Sequence, residues 1–236
     1  MAFDSSSPAE YEAVIGCDEV GRGSLCGPVL VAAVWFEPTE IPTCLLGELD
    51  DSKLLTRKVR TRLAIEIRRI ARVAVAWSTP AMIDEHGIRN MTLDAMSRAI
   101  LRLNVHAPVR VDGLDVPPGI SLPTLAIVKG DAKVPQIAAA SIVAKVTRDK
   151  MMAQLSSRYP GYGWEKNAGY GTPEHLAAIE RLGTTVHHRM SFAPMSLRAL
   201  PWLFPTTEVE LADTNNAEIT TRRLLRSTCE MAQPRR

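Results

Sequence analysis

The chain has 236 residues, of which 46% are hydrophobic and 23% are charged, so it can form one globular domain with its own core. The formal net charge is only +2, so the total charge gives no argument for a polyanionic partner. The N-terminus is polar and acidic, which argues against a secretory signal, and no apolar run reaches the ~20 residues of a membrane helix. The four cysteines form no Cys-x-x-Cys pair. These features favour a soluble, cytoplasmic protein.

The first part of the chain predicts three strands and a helix. Ala13 to Cys17 and Val29 to Phe36 are apolar and rich in β-branched residues, and we expect them to form an antiparallel pair around the loop between them. Thr56 is expected to cap an amphipathic helix from Arg57 to about Ala71. Arg72 to Ser78 is the third predicted strand.

The second part alternates between helices and strands. Thr92 is expected to cap a helix that runs to Leu103, and Val109 to Val111 and Leu125 to Val128 are predicted buried strands. Pro135 opens a long helix to about Arg158, and Thr172-Pro173 begins another. This order predicts an α/β fold with a mixed central sheet flanked by helices.

The domain organisation follows from a change in composition. Residues 1–201 are expected to form the main folded domain, with a flexible N-terminus at residues 1–12. Residues 202–236 are polar and predict a loosely ordered tail with one weak helical stretch from Ile219 to Met231. Several basic runs precede the tail, and such runs are more often the solvated face of a helix than a nucleic-acid groove; they comprise Arg57, Lys58, Arg60, Arg62, Arg68, Arg69, Arg72, Lys145, Arg148 and Lys150.

Four acids stand at the ends of predicted strands or in the loops that follow them, namely Asp18, Glu19, Asp112 and Asp131. Carboxylates that converge at a buried strand end repel one another unless a cation lies between them. Hard cations such as Mg²⁺ or Mn²⁺ suit such oxygen ligands, whereas the adjacent His187 and His188 do not have zinc-ligand spacing. Asp112 or Asp131 alone is typical of a turn, but the combination indicates two-metal phosphodiester chemistry.

One geometric difficulty concerns Asp18 and Glu19. Adjacent residues of a regular strand point to opposite faces of the sheet. The two acids can therefore share a site only if the strand bends or if Glu19 uses its backbone carbonyl.

The residues around these acids resemble a known family. Gly16-Cys17-Asp18-Glu19-Val20-Gly21-Arg22-Gly23, followed by Gly27-Pro28-Val29, is similar to the opening motif of ribonuclease HII, the type 2 ribonuclease H. Further blocks follow in the family's order between residues 13 and about 200, and the ordered set is highly specific. They are Asp51 to Thr56, Val111-Asp112-Gly113, Lys129 to Lys133, Ala138 to Asp149, Gly169-Tyr170-Gly171-Thr172 and His188 to Phe192.

The resemblance implies a ribonuclease H-like fold and two Mn²⁺ or Mg²⁺ ions held by Asp18, Glu19, Asp112 and Asp131. It implies hydrolysis of the RNA strand of RNA:DNA hybrids and cleavage 5′ to single ribonucleotides in duplex DNA, leaving a 3′-hydroxyl and a 5′-phosphate. Such an activity serves ribonucleotide removal in DNA replication and repair. We expect a monomer without membrane contacts; a replication-clamp partner stays open, since no motif supports it.

Matching positions imply substrate contacts at Gly21, Arg22, Gly23, Lys53, Ser141, Lys145 and Tyr170. Gly21 and Gly23 have no Cβ, so the backbone around Arg22 can approach a sugar and present its amides to a 2′-hydroxyl. Lys53, Ser141 and Lys145 match positions that face phosphates, although Lys53 is equally typical of a surface lysine. Tyr170 can stack on the next deoxyribose, whereas without the family match it is an ordinary half-buried tyrosine. His188 and Arg189 match the last block, where a packing or capping role is equally well supported.

The chain departs from the family's pattern at three places. Asn167-Ala168 replaces a common His-Lys pair, which removes a basic contact. Ser24 and Cys26 stand where Pro or Ala is frequent, and these small-for-small changes are expected to leave the backbone path alone. Gly87 stands where Asn is usual, which puts any role of that loop in doubt.

These residues also bear on three other functions. A related nuclease or transferase would use the same carboxylates on DNA without reading a 2′-hydroxyl, and the Gly-Arg-Gly loop and Tyr170 argue against it. A nucleic-acid-binding protein that has lost catalysis would lack an acid, but all four are present. A dinucleotide-binding enzyme is excluded because Gly21-Arg22-Gly23 lacks the third glycine at the required spacing.

Overall fold

The computed structural model describes residue 3, residues 11–49 and residues 55–198, with side chains described up to residue 196. Lys53, the predicted tail from residue 202 onward and most of the predicted flexible N-terminus lie outside these ranges. Two compact units are distinguished, Met1–Ser191 and Phe192–Arg236. Within the described ranges, no helix combines the length and the apolar character needed to cross a bilayer.

The first unit contains five strands and seven helices among the described residues. The strands are β1 (Ile15–Val20), β2 (Val29–Trp35), β3 (Arg72–Ser78), β4 (Val109–Asp112) and β5 (Thr124–Ile127). The helices are α1 (Thr43–Glu48), α2 (Arg57–Ile70), α3 (Pro80–His86), α4 (Ile88–Leu103), α5 (Pro135–Arg158), α6 (Trp164–Asn167) and α7 (Pro173–Leu182). The second unit contains the short helix α8 (Met195–Arg198), in whose first turn the Ser196 N–H donates to the Phe192 carbonyl.

The strands form one mixed sheet in the order β3-β2-β1-β4-β5. β1 pairs antiparallel with β2, in a register that places Ile15 opposite Trp35, and β2 pairs antiparallel with β3. β4 is parallel to β1 and to β5. The predicted α/β fold, its mixed sheet and the antiparallel β1-β2 pair are therefore confirmed.

Different helices cover the two faces of the sheet. Side chains alternate along β2, so that Leu30, Ala32 and Val34 pack toward α2 and α5, whereas Val31 and Ala33 pack toward α4. Every one of these side chains is buried. The central strands are thus apolar on both faces, which explains why β2 reads as a continuous apolar run.

Helix α5 lies unusually close to β1. A Cβ added at Gly16 would lie 2.1 Å from the carbonyl carbon of Gln136, so only a glycine allows this approach. The residues from Ile137 to Ala144 are all buried, as expected of a helix that is apolar around its whole circumference. This packing places Ser141 of α5 opposite Asp18 of β1, and the two side chains are hydrogen bonded.

Local signals in the sequence set several helix boundaries. α5 spans the predicted residues, with Pro135 in its first turn. The predicted caps Thr56 and Thr172 both accept a hydrogen bond from a backbone N–H three residues later, at 3.3 Å. These predictions are confirmed.

Other boundaries were wrong. α4 begins at Ile88 rather than after Thr92, and the Thr92 hydroxyl instead donates to the Ile88 carbonyl at 2.7 Å. Its N-cap is Gly87, which at φ 81° and ψ 148° also ends α3; a residue with a Cβ rarely adopts this backbone. β1 continues to Val20, so Asp18 and Glu19 lie within the strand and do not follow it. Helices α1 and α3 were not predicted.

Candidate active site

Two parallel strands bring Asp18 and Asp112 together. Cys17 of β1 is opposite Val111 of β4, so the next residues along both strands are Asp18 and Asp112. The Asp112 Oδ1 accepts a 2.7 Å hydrogen bond from the Gly130 N–H, in the 3-10 turn Gly130–Ala132 that carries Asp131. This bond ties the turn with the third aspartate to the carboxyl end of β4.

Glu19 lies on the other face of the sheet. Asp18 pairs with Ala32, on the α5 side, and Glu19 pairs with Val31, on the α4 side. The strand is regular here, so it does not make the bend that a shared side-chain site requires. Within residues 11–49 and 55–198, no three His, Cys, Asp or Glu side chains converge closely enough to hold a metal ion.

The environment of Asp18 disfavours its negative charge. The side chain is only 6% exposed. Burial raises the pKa of Asp18 well above its ordinary value, and the nearby charges of Glu19 and Asp112 raise it further, whereas hydrogen bonds from the Ser141 hydroxyl and the Glu19 N–H lower it. A divalent cation between Asp18 and Asp112 would remove this repulsion. The donors are carboxylate oxygens, so these residues fit a hard cation.

A cavity of about 190 Å³ opens on the α4 side of the same sheet edge. Glu19 and Asp112 line it at the sheet, and Arg22 and Arg89 line it at the surface. Arg89 donates two hydrogen bonds to Asp115, at 3.0 and 2.5 Å. Neither Arg89 nor Asp115 was predicted as a site residue, because no local pattern links two residues that lie 26 positions apart.

The Gly-Arg-Gly loop (residues 21–23) lies against a buried guanidinium. Gly21 has φ 84°, and a Cβ added there would lie 2.1 Å from the Arg148 Nε. Gly23 has no positive φ, and a Cβ added there would meet nothing within 4 Å. The two glycines therefore have different roles, since Gly21 is required by packing and Gly23 leaves the surface open.

Two buried arginines turn the carbonyls of this region inward. Arg189 donates to the carbonyls of Gly21, Arg22 and Gly27, and Arg148 donates to those of Cys26 and Pro28. Burial, followed by the charge of Arg148, lowers the pKa of Arg189 to about 10. Arg189 thus stays charged at neutral pH, and the inward-facing carbonyls stabilise both guanidiniums.

The same loop carries two backbone amides on exposed residues. In the described part of the chain, the N–H groups of Arg22 and Gly23 donate no hydrogen bond, and both residues are exposed. The Ser24 hydroxyl donates to the Gly21 carbonyl at 2.9 Å and accepts from Arg148 at 2.7 Å. Ser24 therefore holds the loop, in addition to fitting its backbone path. Arg148, which we counted in a basic run, is fully buried and belongs to this support.

Tyr170 stands on a neighbouring loop (residues 168–172). Its side chain is 38% exposed, and Arg148 Cζ lies 5.8 Å from the centre of its ring. The Gly169 carbonyl accepts from the N–H groups of Leu25 and Cys26, which joins this loop to the Gly-Arg-Gly segment. Asn167, one of the family departures, accepts from the Gly169 N–H and donates to the Tyr162 carbonyl, so it shapes the Tyr170 loop from within.

The other residues expected at the substrate are placed as follows. Ser141 is only 7% exposed and bonds to Asp18. Lys145 forms an ion pair with Asp149 at 2.8 Å, one helical turn away. His188 and Arg189 are buried, at 2% and 0% exposure. The burial of His188 and Arg189 was not predictable from composition, because charged and ionisable residues are usually exposed.

Comparisons with known proteins show which proteins this chain is similar to. The family model described as "Ribonuclease HII" matches residues 15–195. A "Ribonuclease HII" of Rhizobium johnstonii is 52% identical over 183 residues, which cover 77% of this chain and 78% of the relative.

Solved structures show the same fold. The ribonuclease H2 of Pyrococcus horikoshii OT3 has a TM-score of 0.69 and 27% identity, covering 83% of this chain and 100% of that one. The ribonuclease HII of Archaeoglobus fulgidus, solved in a complex with PCNA, has a TM-score of 0.66 and 30% identity, covering 77% of this chain and 95% of that one.

Proposed function

Because the chain belongs to the ribonuclease HII family and is a ribonuclease H hydrolase, we propose that it hydrolyses the RNA strand of RNA:DNA hybrids and cuts duplex DNA 5′ to single embedded ribonucleotides. The products are a 3′-hydroxyl and a 5′-phosphate, and the activity serves ribonucleotide removal. The observation that carries the proposal concerns Arg22 and Gly23, two exposed residues on the loop that directly follows the strand of Asp18 and Glu19. Their backbone N–H groups donate no hydrogen bond within the described part of the chain.

Ribose recognition would use these N–H groups as donors. A 2′-hydroxyl oxygen accepts hydrogen bonds, and it is the group that distinguishes RNA from DNA. Arg189 binds the carbonyls of Gly21 and Arg22, whereas the N–H groups of Arg22 and Gly23 stay available as donors to a sugar. Gly23 leaves room for a sugar at this point, since nothing lies within 4 Å of its Cβ position.

The carboxylates supply the hydrolytic part of the site. Asp18 and Asp112 would hold divalent ions, and Asp131 would join them through the turn anchored by Gly130. Mg²⁺ or Mn²⁺, when bound there, would activate a water and would neutralise charge at the leaving oxygen. Ser141 orients the Asp18 carboxylate. Glu19 joins this set only through its backbone carbonyl or after a local bend in β1, because its side chain faces α4.

Tyr170 is the second proposed element of ribonucleotide recognition, beside the Gly-Arg-Gly loop. Its exposed ring can stack on the deoxyribose that follows the ribonucleotide. The ring stands near the Gly-Arg-Gly segment because the N–H groups of Leu25 and Cys26, just after that segment, donate to the Gly169 carbonyl. Lys145 and Lys53 are proposed phosphate contacts, of which Lys145 would exchange its partner Asp149 for the substrate.

The test is cleavage of a labelled DNA duplex that holds one ribonucleotide, with the all-DNA duplex as control. Each duplex is incubated with Mg²⁺, with Mn²⁺ and with chelator. We expect one metal-dependent cut 5′ to the ribonucleotide and no cut in the all-DNA duplex. Equal cleavage of both duplexes would favour a nuclease that does not read the 2′-hydroxyl. Binding without cleavage in either metal would favour a protein that has lost catalysis.

A further inference from the structure

Two buried histidines lie directly beneath the Tyr170 loop. His175 is 0% exposed and His188 is 2% exposed, and their Nε2 atoms are 3.3 Å apart. Trp164 and Tyr162 pack around them, with both rings within 6.3 Å of the His175 ring centre. The hydrolytic chemistry proposed above uses neither histidine.

Hydrogen-bond partners assign the protons of both rings. The Thr185 N–H donates to the His188 Nδ1 at 2.9 Å, so the proton of the neutral His188 ring is on Nε2, facing His175. The His175 Nε2 accepts at 2.9 Å from the Trp164 Nε1, so the proton of His175 is on Nδ1. That Nδ1–H points at the Tyr170 carbonyl, 2.9 Å away. The chain of bonds therefore runs from Thr185 to the backbone of Tyr170.

The surroundings keep both rings neutral. Burial lowers the pKa of His175. Burial, together with the charge of His175, lowers the pKa of His188 to about 4. A neutral His175 has only one N–H, and its two partners decide which nitrogen carries it. The ring is thus fixed with its donor toward the Tyr170 loop.

We propose that His175 is a positioning residue for Tyr170, and that His188 keeps His175 in the tautomer that this contact requires. The contact fixes the backbone from which the exposed ring extends toward the substrate. This inference rests on the proposed function, because it assigns Tyr170 to the nucleic acid. It adds to the recognition site two residues, His175 and His188, that touch no substrate.

Two substitutions test the two ring nitrogens of His175 separately, because asparagine can replace Nδ1 and glutamine can replace Nε2. The amide of His175→Asn takes the place of Nδ1 and keeps a donor for the Tyr170 carbonyl, but leaves the buried Trp164 N–H without its acceptor. The amide of His175→Gln takes the place of Nε2, where its oxygen accepts from Trp164, but offers no donor to Tyr170. His175→Asn should therefore be the less stable variant and the more active one.

Cleavage kinetics measure the effect. We expect His175→Gln to lower kcat/KM on the single-ribonucleotide duplex about tenfold, as the loss of one hydrogen bond predicts, and His175→Asn to lower it no more than about threefold. In a Tyr170→Ala background, His175→Gln should cause no further loss, since coupled residues are not additive. Equal losses in both backgrounds, or activities that follow the thermal midpoints of the two variants, would overturn the proposal.

Hydrogen exchange gives a readout that does not depend on activity. The Thr172 N–H donates to the same Tyr170 carbonyl at 2.8 Å, so the amides of residues 168–172 should exchange faster in His175→Gln than in His175→Asn. Unchanged exchange in His175→Gln would refute the positioning role even if the wild-type protein cleaves as proposed. If the wild-type protein does not cleave the ribonucleotide duplex, the proposed function fails, while faster exchange in His175→Gln would still support the contact to Tyr170.

Discussion

Adding one methyl group at Gly21 or at Gly23 should separate folding from ribose reading. At Gly21 the new Cβ would lie 2.1 Å from the Arg148 Nε, and the backbone has φ 84°. The positive φ costs about 1 to 2 kcal/mol, and displacement of Arg148 weakens several of its four hydrogen bonds at about 1 kcal/mol each. Gly21→Ala should therefore lose roughly 3 to 5 kcal/mol of unfolding free energy.

Gly23→Ala is the matched control. The new methyl meets nothing within 4 Å and the backbone is not in the left-handed region, so the unfolding free energy should change by no more than about 0.5 kcal/mol. If the loop backbone approaches a sugar here, cleavage of the single-ribonucleotide duplex should still fall by about 100-fold, because the methyl displaces the ribose by about 1 Å.

Urea unfolding and initial cleavage rates, measured on both variants, test the reasoning. Gly21→Ala should lower the denaturation midpoint, whereas Gly23→Ala should keep the midpoint and lose the activity. An unchanged midpoint in Gly21→Ala would refute the contact with Arg148. Wild-type cleavage by Gly23→Ala would refute readout by the backbone amides and point to the Arg22 side chain.

Three further perturbations test other parts of the site. Asp18→Asn removes a buried charge that Glu19 and Asp112 repel, so it should raise the thermal midpoint of the metal-free protein. The same variant should lower turnover about 1000-fold. Wild-type turnover would exclude Asp18 as a metal ligand. The neutral His188 ring stabilises the fold fully above its ordinary pKa of 6.5, and this contribution is lost as the pH falls toward its folded-state pKa of about 4. Acid should therefore lower the unfolding free energy of the wild-type protein by roughly 3 kcal/mol more than that of His188→Gln. Urea midpoints of the two proteins that stay parallel between pH 7 and pH 4 would contradict this. Thr172→Ala removes the cap of α7 and should cost about 1 kcal/mol in urea unfolding, against no change for the exposed Thr184→Ala; equal midpoints would contradict the cap.

Regular elements were predictable where one local signal dominated. β3 was predicted with its observed bounds because its residues are largely β-branched or apolar, and α5 because Pro135 marks its first turn. The start of α4 was missed because Thr92 has the chemistry of an N-cap, whereas the junction depends on the backbone conformation of Gly87. A single residue letter does not report a φ angle.

The site was predictable as a set of residue types but not as an arrangement. The alternation of side chains along a strand already indicated that Asp18 and Glu19 face apart, and the register of β1 with β2 agrees with that expectation. The roles of Ser24, Arg148 and Arg189 were not predictable, because they arise from contacts between segments more than 100 residues apart. Their burial depends on the tertiary fold, which no local pattern encodes.

Helix α5 also sets a fixed distance between two parts of the site. Ser141 contacts Asp18, and Arg148, seven residues later on the same helix, supports the Gly-Arg-Gly loop. Seven residues correspond to a rise of about 10.5 Å along a rigid helix. In the proposed function, the offset between the bond that is cut and the sugar that is recognised would be set by this length. A one-residue insertion between these positions would rotate one contact by about 100° relative to the other, so the cleavage register would be lost even with every site residue retained.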